Sequence, residues 1–299
     1  MENIRRFDTI SQYNDFNQHE TRHPLVTVVD LSKATPRQHY RMYFGFYIVF
    51  LKDVKCGDLR YGRHLYDYQE GTLAFMAPGQ MAGVETADDN YFQPTGYALA
   101  FHSDLIRGTA LGKHIRDYTF FLYESHEALH LSERERQIVL DCFAKIDMEL
   151  NQSIDKHSKT LIANNIELFL NYCMRFYDRQ FITRDNVHKG ILEKFESLLN
   201  GYFDSDKPQN IGLPSVAWCA EQVNLSSNYF GDLVKKETGR SAQEYILAKL
   251  MDVAKEKIFD RNKSVSEVAY ELGFKYPQHF TRLFKQRVGQ TPNEYRMMN

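Results

Sequence analysis

The sequence of 299 residues contains little cysteine, and its four cysteines, Cys56, Cys142, Cys173 and Cys219, stand singly with no C-x-x-C pair. No histidine lies near any of them at the spacing of a zinc ligand. This pattern favours reduced, structural thiols over disulfides or a metal site. No cofactor motif is visible either, and we expect no cofactor.

A long hydrophobic run is also missing. The longest strongly apolar stretch, residues 42–51, has ten residues, whereas a bilayer-spanning helix needs about 20. This run predicts one buried strand. The N-terminus mixes charges of both signs and shows no secretion signal. Because hydrophobic residues make up 43% and charged residues 25% of the chain, we expect a folded, water-soluble, cytoplasmic protein.

A strong excess of one charge sign is absent from the whole chain but not from its C-terminal part. The formal net charge is −2, yet residues 226–299 hold thirteen Lys and Arg against nine Asp and Glu. This tail is therefore +4 and the remainder −6. A mildly basic end on an acidic body is compatible with an anionic partner, although the charge alone is weak evidence.

The N-terminal part alternates short aromatic and β-branched runs with glycine. These runs predict a small antiparallel barrel or sandwich over about residues 21–101. Helical periodicity replaces this pattern over about residues 103–180, where Ser132 and Glu135 form a capping box before one of two amphipathic helices. These helices should form a hairpin, which packs on the barrel, forms a dimer, or does both with opposite faces. A domain boundary is expected near residue 183, so that the domains are residues 1–183 and 184–299. Residues 200–214 are interpreted as a loop inside the second domain.

The C-terminal part repeats itself. Val216 and Ala220 match Val265 and Ala269 at an offset of 49, and the later matches fall at an offset of 50. The later pairs are Phe230 with Phe280, Leu233 with Leu283, Lys235 with Lys285, Gly239 with Gly289, Glu244 with Glu294, and Tyr245 with Tyr295. One residue inserted in a turn explains the change of offset. The pattern indicates two copies of one helix-turn-helix unit, copy 1 at about 214–238 and copy 2 at about 264–288.

Capping signals support this interpretation. Ser264 with Glu267, Ser241 with Glu244, and Thr291 with Glu294 predict helix starts, and Gly239 and Gly289 predict helix ends. A linker helix over residues 241–260 would be about 30 Å long. It could hold the two units about one DNA turn, 34 Å, apart, which favours DNA as the partner.

The segments SEVAYELGF, HFTRLFK and G-x-T-P-x-E-Y-R closely resemble the DNA-binding domain of the AraC/XylS family of bacterial transcription regulators. The resemblance covers about 100 residues. It implies seven helices with two helix-turn-helix motifs in adjacent major grooves, contact with RNA polymerase, and activation rather than repression. It further implies that the N-terminal part is a cupin-like sensor and dimerisation domain. The expected fold class is thus α+β and multidomain: a cupin-like β-barrel with a helical hairpin, followed by an all-α domain with two helix-turn-helix motifs.

Exposed polar residues on the second helix of each copy are the candidate DNA contacts. Gln pairs well with adenine and Arg with guanine, so the base-reading candidates are Gln278, His279, Arg282, Asn228 and Tyr229. The candidate phosphate contacts are Lys235, Lys236, Lys275, Lys285 and Arg287. The family usually has a basic residue where this chain has Asp232, so copy 2 should read more bases than copy 1.

Catalysis and effector binding are two further functions of cupin-like barrels. Metal enzymes with a cupin barrel carry an H-x-H pair, which this sequence lacks, so catalysis is not expected. A small-molecule effector pocket could use Tyr47, Arg63, His64 and Tyr66, although these side chains could equally fill the core. The alternative function is a cupin-like scaffold that binds a protein partner without recognising a promoter.

Overall fold

The computed structural model describes residues 4–37, 40–52, 58–60, 71–85, 91–124, 127–183 and 185–298. The chain divides into two compact units, Met1–Thr183 and Arg184–Asn299, called here the N-terminal and C-terminal units. Every described strand lies in the first, whereas the second is helical. No helix in the described part of the chain is both long and apolar enough to span a membrane.

The described strands of the N-terminal unit form two sheets. The four-stranded sheet has the order β1-β3-β7-β5, with β1 parallel to β3 and the other pairs antiparallel. Its strands are β1 (Ile4–Phe7), β3 (Tyr40–Phe44), β5 (Asp58–Arg60) and β7 (Met81–Glu85). The five-stranded sheet is antiparallel with the order β2-β8-β4-β6-β9. Its strands are β2 (Val26–Asp30), β4 (Tyr47–Lys52), β6 (Thr72–Met76), β8 (Tyr97–Phe101) and β9 (Leu129–His130).

A core of aromatic and aliphatic side chains from both sheets packs together. Phe44 from β3, Ile48 from β4 and Ala100 from β8 are fully buried members of it, together with Phe46 between the strands. The described strands form two sheets and not one closed ring. A cupin-like barrel over about 21–101 therefore remains a prediction, and four stretches of that segment lie outside the described residues.

The prediction of one strand over residues 42–51 is wrong. The run is split between β3 and β4, which belong to different sheets. The break lies at Gly45, whose N–H donates to the carbonyl oxygen of Phe7 at 2.8 Å. A Cβ at this position would lie 3.1 Å from Cα of Asp8. A continuous apolar run does not by itself distinguish one strand from two strands joined by a turn.

Among the described residues of this unit, the α-helices are α1 (Ile10–Phe16), α2 (Ser103–Ile106), α3 (Ala110–His114), α4 (Glu133–Leu150) and α5 (Ser158–Thr183). The capping box of Ser132 and Glu135 is confirmed at the start of α4. Helices α4 and α5 form a hairpin in which the rings of Phe143 and Phe169 lie 5.2 Å apart. Arg179 of α5 joins this hairpin to β9, because it donates to Glu135 at 2.7 Å and to the carbonyl oxygen of His130 at 2.6 Å.

Three cysteines are described, and all three are free and buried: Cys142, Cys173 and Cys219. Burial raises the pKa of each thiol, to about 11 for Cys219. The thiols therefore stay protonated and unreactive near neutral pH. Cys56 lies outside the described residues.

The C-terminal unit is described as eight helices: α6 (Asp185–Phe203), α7 (Lys207–Ile211), α8 (Val216–Gln222), α9 (Ser227–Thr238), α10 (Ala242–Ile258), α11 (Val265–Glu271), α12 (Pro277–Val288) and α13 (Pro292–Met298). This is one more than the family resemblance implies. The prediction of a loop over residues 200–214 is wrong, because this segment contains the end of α6 and the short helix α7. Pro208 in the first turn of α7 suits a helix start, since its missing N–H has no intrahelical role there.

Candidate nucleic-acid interface

Copy 1 (α8 and α9) and copy 2 (α11 and α12) have equivalent turns. The N–H of Leu225 donates to the carbonyl oxygen of Ala220 at 3.0 Å, and that of Phe274 donates to Ala269 at 2.9 Å, 49 residues later. The residue before each donor has a positive φ, 56° at Asn224 and 88° at Gly273. Both are residue types that tolerate this conformation.

After the turn the equivalence continues at an offset of 50. Gly239 and Gly289 end α9 and α12 in the left-handed conformation, each donating to a lysine carbonyl oxygen at 2.9 Å. The residue before α9 is Ser226, and the residue before α12 is Tyr276. The inserted residue is therefore Lys275, which is exposed between Phe274 and Tyr276.

Each copy closes on a buried aromatic core. Phe230 and Phe280 occupy the same position of their copies and are both fully buried. In copy 1, Phe230 meets Phe195 of α6 edge-on with ring centroids 4.9 Å apart. In copy 2, Phe280 contacts Phe274 and Phe284 at centroid distances of 5.3 and 5.7 Å. These cores fix the orientation of α9 and α12 against their partner helices.

Capping boxes start α10 and α11, and a reciprocal pair of hydrogen bonds between Thr291 and Glu294 precedes α13. All three predicted caps are thus confirmed. Backbone hydrogen bonds from the cap residue lower the pKa of Glu244, Glu267 and Glu294. The linker helix α10 has 17 residues, which corresponds to about 25 Å, somewhat shorter than expected.

Helix α11 is additionally held to α10 by ion pairs. Glu271 accepts from Lys263, which follows α10, and from Lys257 of α10 at 3.3 Å. The hydrogen bond from Lys263 has the largest effect in lowering the pKa of the Glu271 carboxyl, and the bond from Lys257 lowers it further. Copy 2 is therefore attached to the linker helix by charge as well as by apolar packing.

The outward face of α12 carries polar and basic side chains. Gln278, Arg282 and Lys285 follow one another at steps of four and three residues, so they lie on one face of the helix, and all three are exposed. His279 is exposed beside them, its ring 5.5 Å from that of Tyr276. The amino group of Lys275 lies 5.6 Å from the Tyr276 ring. Sequence reasoning did not select Tyr276 as a site residue, although it is 50% exposed at the start of α12.

Arg287 is exposed but lies on a different side of α12. It follows Phe280 by seven residues, so it points within about 20° of the buried face and about 140° from Arg282. The charge of Arg287 also lowers the pKa of Glu244 on α10. Its helical position separates Arg287 from the other phosphate-contact candidates on α12, and a phosphate contact by Arg287 remains a prediction.

The corresponding face of α9 is different. Asn228 and Asp232 are half-buried, whereas Lys235 and Lys236 are exposed. Tyr229 is only 3% exposed, so the prediction that it faces outward is wrong. Tyr229 precedes the core residue Phe230, and both side chains are buried. Helical periodicity alone does not show whether a residue beside a core position is buried or partly exposed.

Of the predicted effector residues, Tyr47 lies in the described part of the chain. Tyr47 is half-buried, with its ring stacked on Phe101 at 5.1 Å and against Phe121 at 5.0 Å. This burial raises the pKa of Tyr47. Arg63, His64 and Tyr66 lie outside the described residues. Among the residues that are described, no three His, Cys, Asp or Glu side chains are grouped to hold a metal ion.

Comparisons with known proteins agree with this geometry. A family described as "Helix-turn-helix domain" matches residues 219–298. The Transposon Tn10 TetD protein of Escherichia coli is 33% identical over 144 residues, which are 48% of this chain and 91% of that protein. The multiple antibiotic resistance protein MarA of Escherichia coli is 32% identical over 80 residues, 27% of this chain and 63% of MarA.

Other curated relatives are matched over less of their length. In four of them the aligned segment covers between 14% and 49% of the relative. Among solved structures, a transcriptional regulator of the AraC-type DNA-binding-domain proteins from Chromobacterium violaceum is 22% identical with a TM-score of 0.32. That match covers 36% of this chain and 91% of the other.

Proposed function

Because the chain belongs to the AraC/XylS family of transcriptional regulators, we propose that it controls transcription by binding promoter DNA sequence-specifically through its two helix-turn-helix copies. The observation that carries the proposal is the exposed face of α12 with Gln278, Arg282 and Lys285. The recognition helices α9 and α12 enter adjacent major grooves.

Base recognition belongs mainly to copy 2. The Arg282 guanidinium donates two parallel hydrogen bonds to O6 and N7 of a guanine, and the Gln278 amide pairs with N6 and N7 of an adenine. His279 adds a third polar group on the same helix. In copy 1 the only polar side chain proposed for a base edge is Asn228, since Asp232 repels phosphate and can accept only from a cytosine amino group.

Affinity comes from phosphate contacts. Lys235 and Lys236 of copy 1, with Lys275 and Lys285 of copy 2, are exposed and supply positive charge at both ends of the interface. Such contacts set the position of the protein on the duplex and make binding strongly salt-dependent.

The regulatory role goes further than DNA binding. We propose that residues 1–183 form a cupin-like sensor and dimerisation domain, that the protein is a homodimer acting in the cytoplasm, and that it activates transcription through RNA polymerase. A small-molecule effector would then change which pair of half-sites a dimer can span. The protein has no catalytic role in this scheme, although one curated relative is named a bifunctional transcriptional activator and DNA repair enzyme.

Selection of genomic DNA fragments by the purified full-length protein at about 150 mM salt tests the proposal. The expected result is one enriched motif with half-sites about one helical turn apart. Arg282→Ala should relax a single base position, whereas Arg261→Ala, an exposed arginine outside the recognition helices, should not. Binding that neither enriches a motif nor weakens with salt would favour the protein-binding scaffold instead.

A further inference from the structure

A second surface of the C-terminal unit includes none of Gln278, His279, Arg282 and Lys285. It is a cleft of about 460 Å³ that lies along α10 and is bounded by the ends of both recognition helices. Gly239 and Arg240 follow the end of α9, and Arg287 and Val288 are the last residues of α12. The cleft therefore touches copy 1, the linker helix and copy 2 at once.

One part of the cleft lining is apolar, whereas charged residues and Gly239 make up the rest. The apolar part consists of Leu247, Ala248 and Met251 from α10, with Val288 from α12. Met251 is buried, and the other three are half-buried. Small-molecule sites in proteins combine such an apolar surface with a few polar groups, at volumes of about 300–1,000 Å³.

The rim of the cleft is cationic. Arg240 and Arg287 are both exposed, and the charges of both lower the pKa of Glu244, which lines the same cleft. The positive charges of Arg240, which follows copy 1, and of Arg287 in copy 2 thus both act on the Glu244 carboxylate. Guanidinium groups are suited to bidentate recognition of carboxylate.

The two carboxylates of the lining already have partners. Glu244 accepts from the backbone N–H and the hydroxyl of Ser241 at 2.9 and 2.8 Å in the capping box of α10. Asp252 pairs with Lys255 at 3.5 Å. Lys255, the third cation of the lining, is thus paired, whereas Arg240 and Arg287 act on Glu244 through their charge and leave their N–H donors for an incoming anion.

We propose that this cleft binds a small amphipathic carboxylate, whose apolar body lies on α10 and whose carboxylate lies between Arg240 and Arg287. Because Arg287 points about 140° from Arg282 around α12, the ligand and DNA occupy different surfaces. A ligand held by both copies fixes their relative orientation, and so changes the affinity for paired half-sites. This regulatory consequence rests on the proposed function, whereas the binding site itself does not.

Calorimetric titration of the full-length protein with octanoate tests the site, with octanamide as the uncharged control. The expected result is that octanoate binds and that octanamide binds about tenfold or more weakly. Arg240→Gln and Arg287→Gln should each weaken octanoate binding about ten- to hundredfold, the range for a hydrogen bond to a charged group. Arg261→Gln, a change of the same kind outside the cleft, should leave it unaltered. Unchanged fluorescence of Trp218 would show that the variants are folded.

The proposal is overturned if octanoate does not bind at millimolar concentration, if octanamide binds equally well, or if both cleft variants bind as the unaltered protein does. A DNA titration tests whether the anion that Arg287 contacts is a DNA phosphate and not a free carboxylate. If Arg287→Gln lowers DNA affinity and reduces the salt slope by about one phosphate while octanoate is not bound, the guanidinium contacts a DNA phosphate instead. Failure to select any DNA motif would count against the proposed function alone, since octanoate binding is measured without DNA.

Discussion

The two helix-turn-helix copies share one backbone and carry different outward surfaces. Position by position, Asn228 corresponds to Gln278, the buried Tyr229 to the exposed His279, and Asp232 to Arg282. The turn hydrogen bonds, the left-handed residues and the helix ends are equivalent throughout. The buried residues that the two copies share fix where each recognition helix lies. The exposed residues of the two recognition helices differ, so the two helices can contact DNA differently.

The largest expected effect tests the shared interior. Phe230→Ala and Phe280→Ala should each lower the free energy of unfolding by about 3–5 kcal/mol, because each removes a fully buried ring at the same position of its copy. Urea unfolding of the full-length protein measures this through Trp218, the single tryptophan, which lies in α8. A difference of more than about 2 kcal/mol between the variants would contradict an equivalent interior, since equal truncations in equivalent sites should differ less.

The next effect tests the divergent surfaces. Arg282→Ala should weaken binding to the selected DNA by about 1–3 kcal/mol and relax one base position, as expected for a lost bidentate contact with guanine. Asp232→Ala, the matched change in copy 1, should strengthen binding slightly by removing a negative charge near phosphate. Fluorescence anisotropy with labelled duplex at fixed salt measures both. Equal losses for the two variants would show that both copies read bases.

Asp232→Arg carries the same test further. The substitution gives copy 1 the residue type of copy 2, so affinity should rise and sequence choice should broaden. The slope of log K against log salt should become steeper by about 0.9 if the new side chain reaches one phosphate. Titrations at several salt concentrations measure the slope. If neither affinity nor slope changes, position 232 lies outside the interface.

The smallest effect concerns the caps that follow each copy. Ser241→Ala and Thr291→Ala should each cost about 1 kcal/mol of stability, since each removes a side-chain acceptor at a helix start. The pKa of Glu244 and of Glu294 is lowered in the folded state by hydrogen bonds from these cap residues. Their stabilisation is therefore present above the pKa of the unfolded chain and is lost as pH falls through the folded pKa. The backbone N–H bonds to Glu244 and Glu294 remain in these variants, so unfolding curves from pH 7 to pH 3 should show only a slightly smaller acid loss, and a larger acid loss would contradict the role of the caps.

Local signals explain what the sequence predicted well. Capping boxes and left-handed glycines depend on residues three or four positions apart, so Ser264 with Glu267 and the helix end at Gly289 could be predicted directly. The inserted residue was expected from the repeat, but its identity as Lys275 required the backbone hydrogen bonds.

Long-range packing explains what the sequence did not predict. The separation of β3 from β4 depends on two sheets meeting at Gly45, and the burial of Tyr229 depends on how α9 packs against its neighbours. The cleft along α10 joins residues 240 and 287, which are distant in sequence, so no local pattern indicates it.

The most direct test of the account is a scan in which every base pair of the selected DNA site is substituted in turn and the affinity of the full-length protein is measured. The account predicts penalties of about 1–3 kcal/mol per base pair concentrated in the half-site of copy 2, with smaller penalties in that of copy 1. Equal penalties in both half-sites, or penalties that persist unchanged in Arg282→Ala, would contradict it.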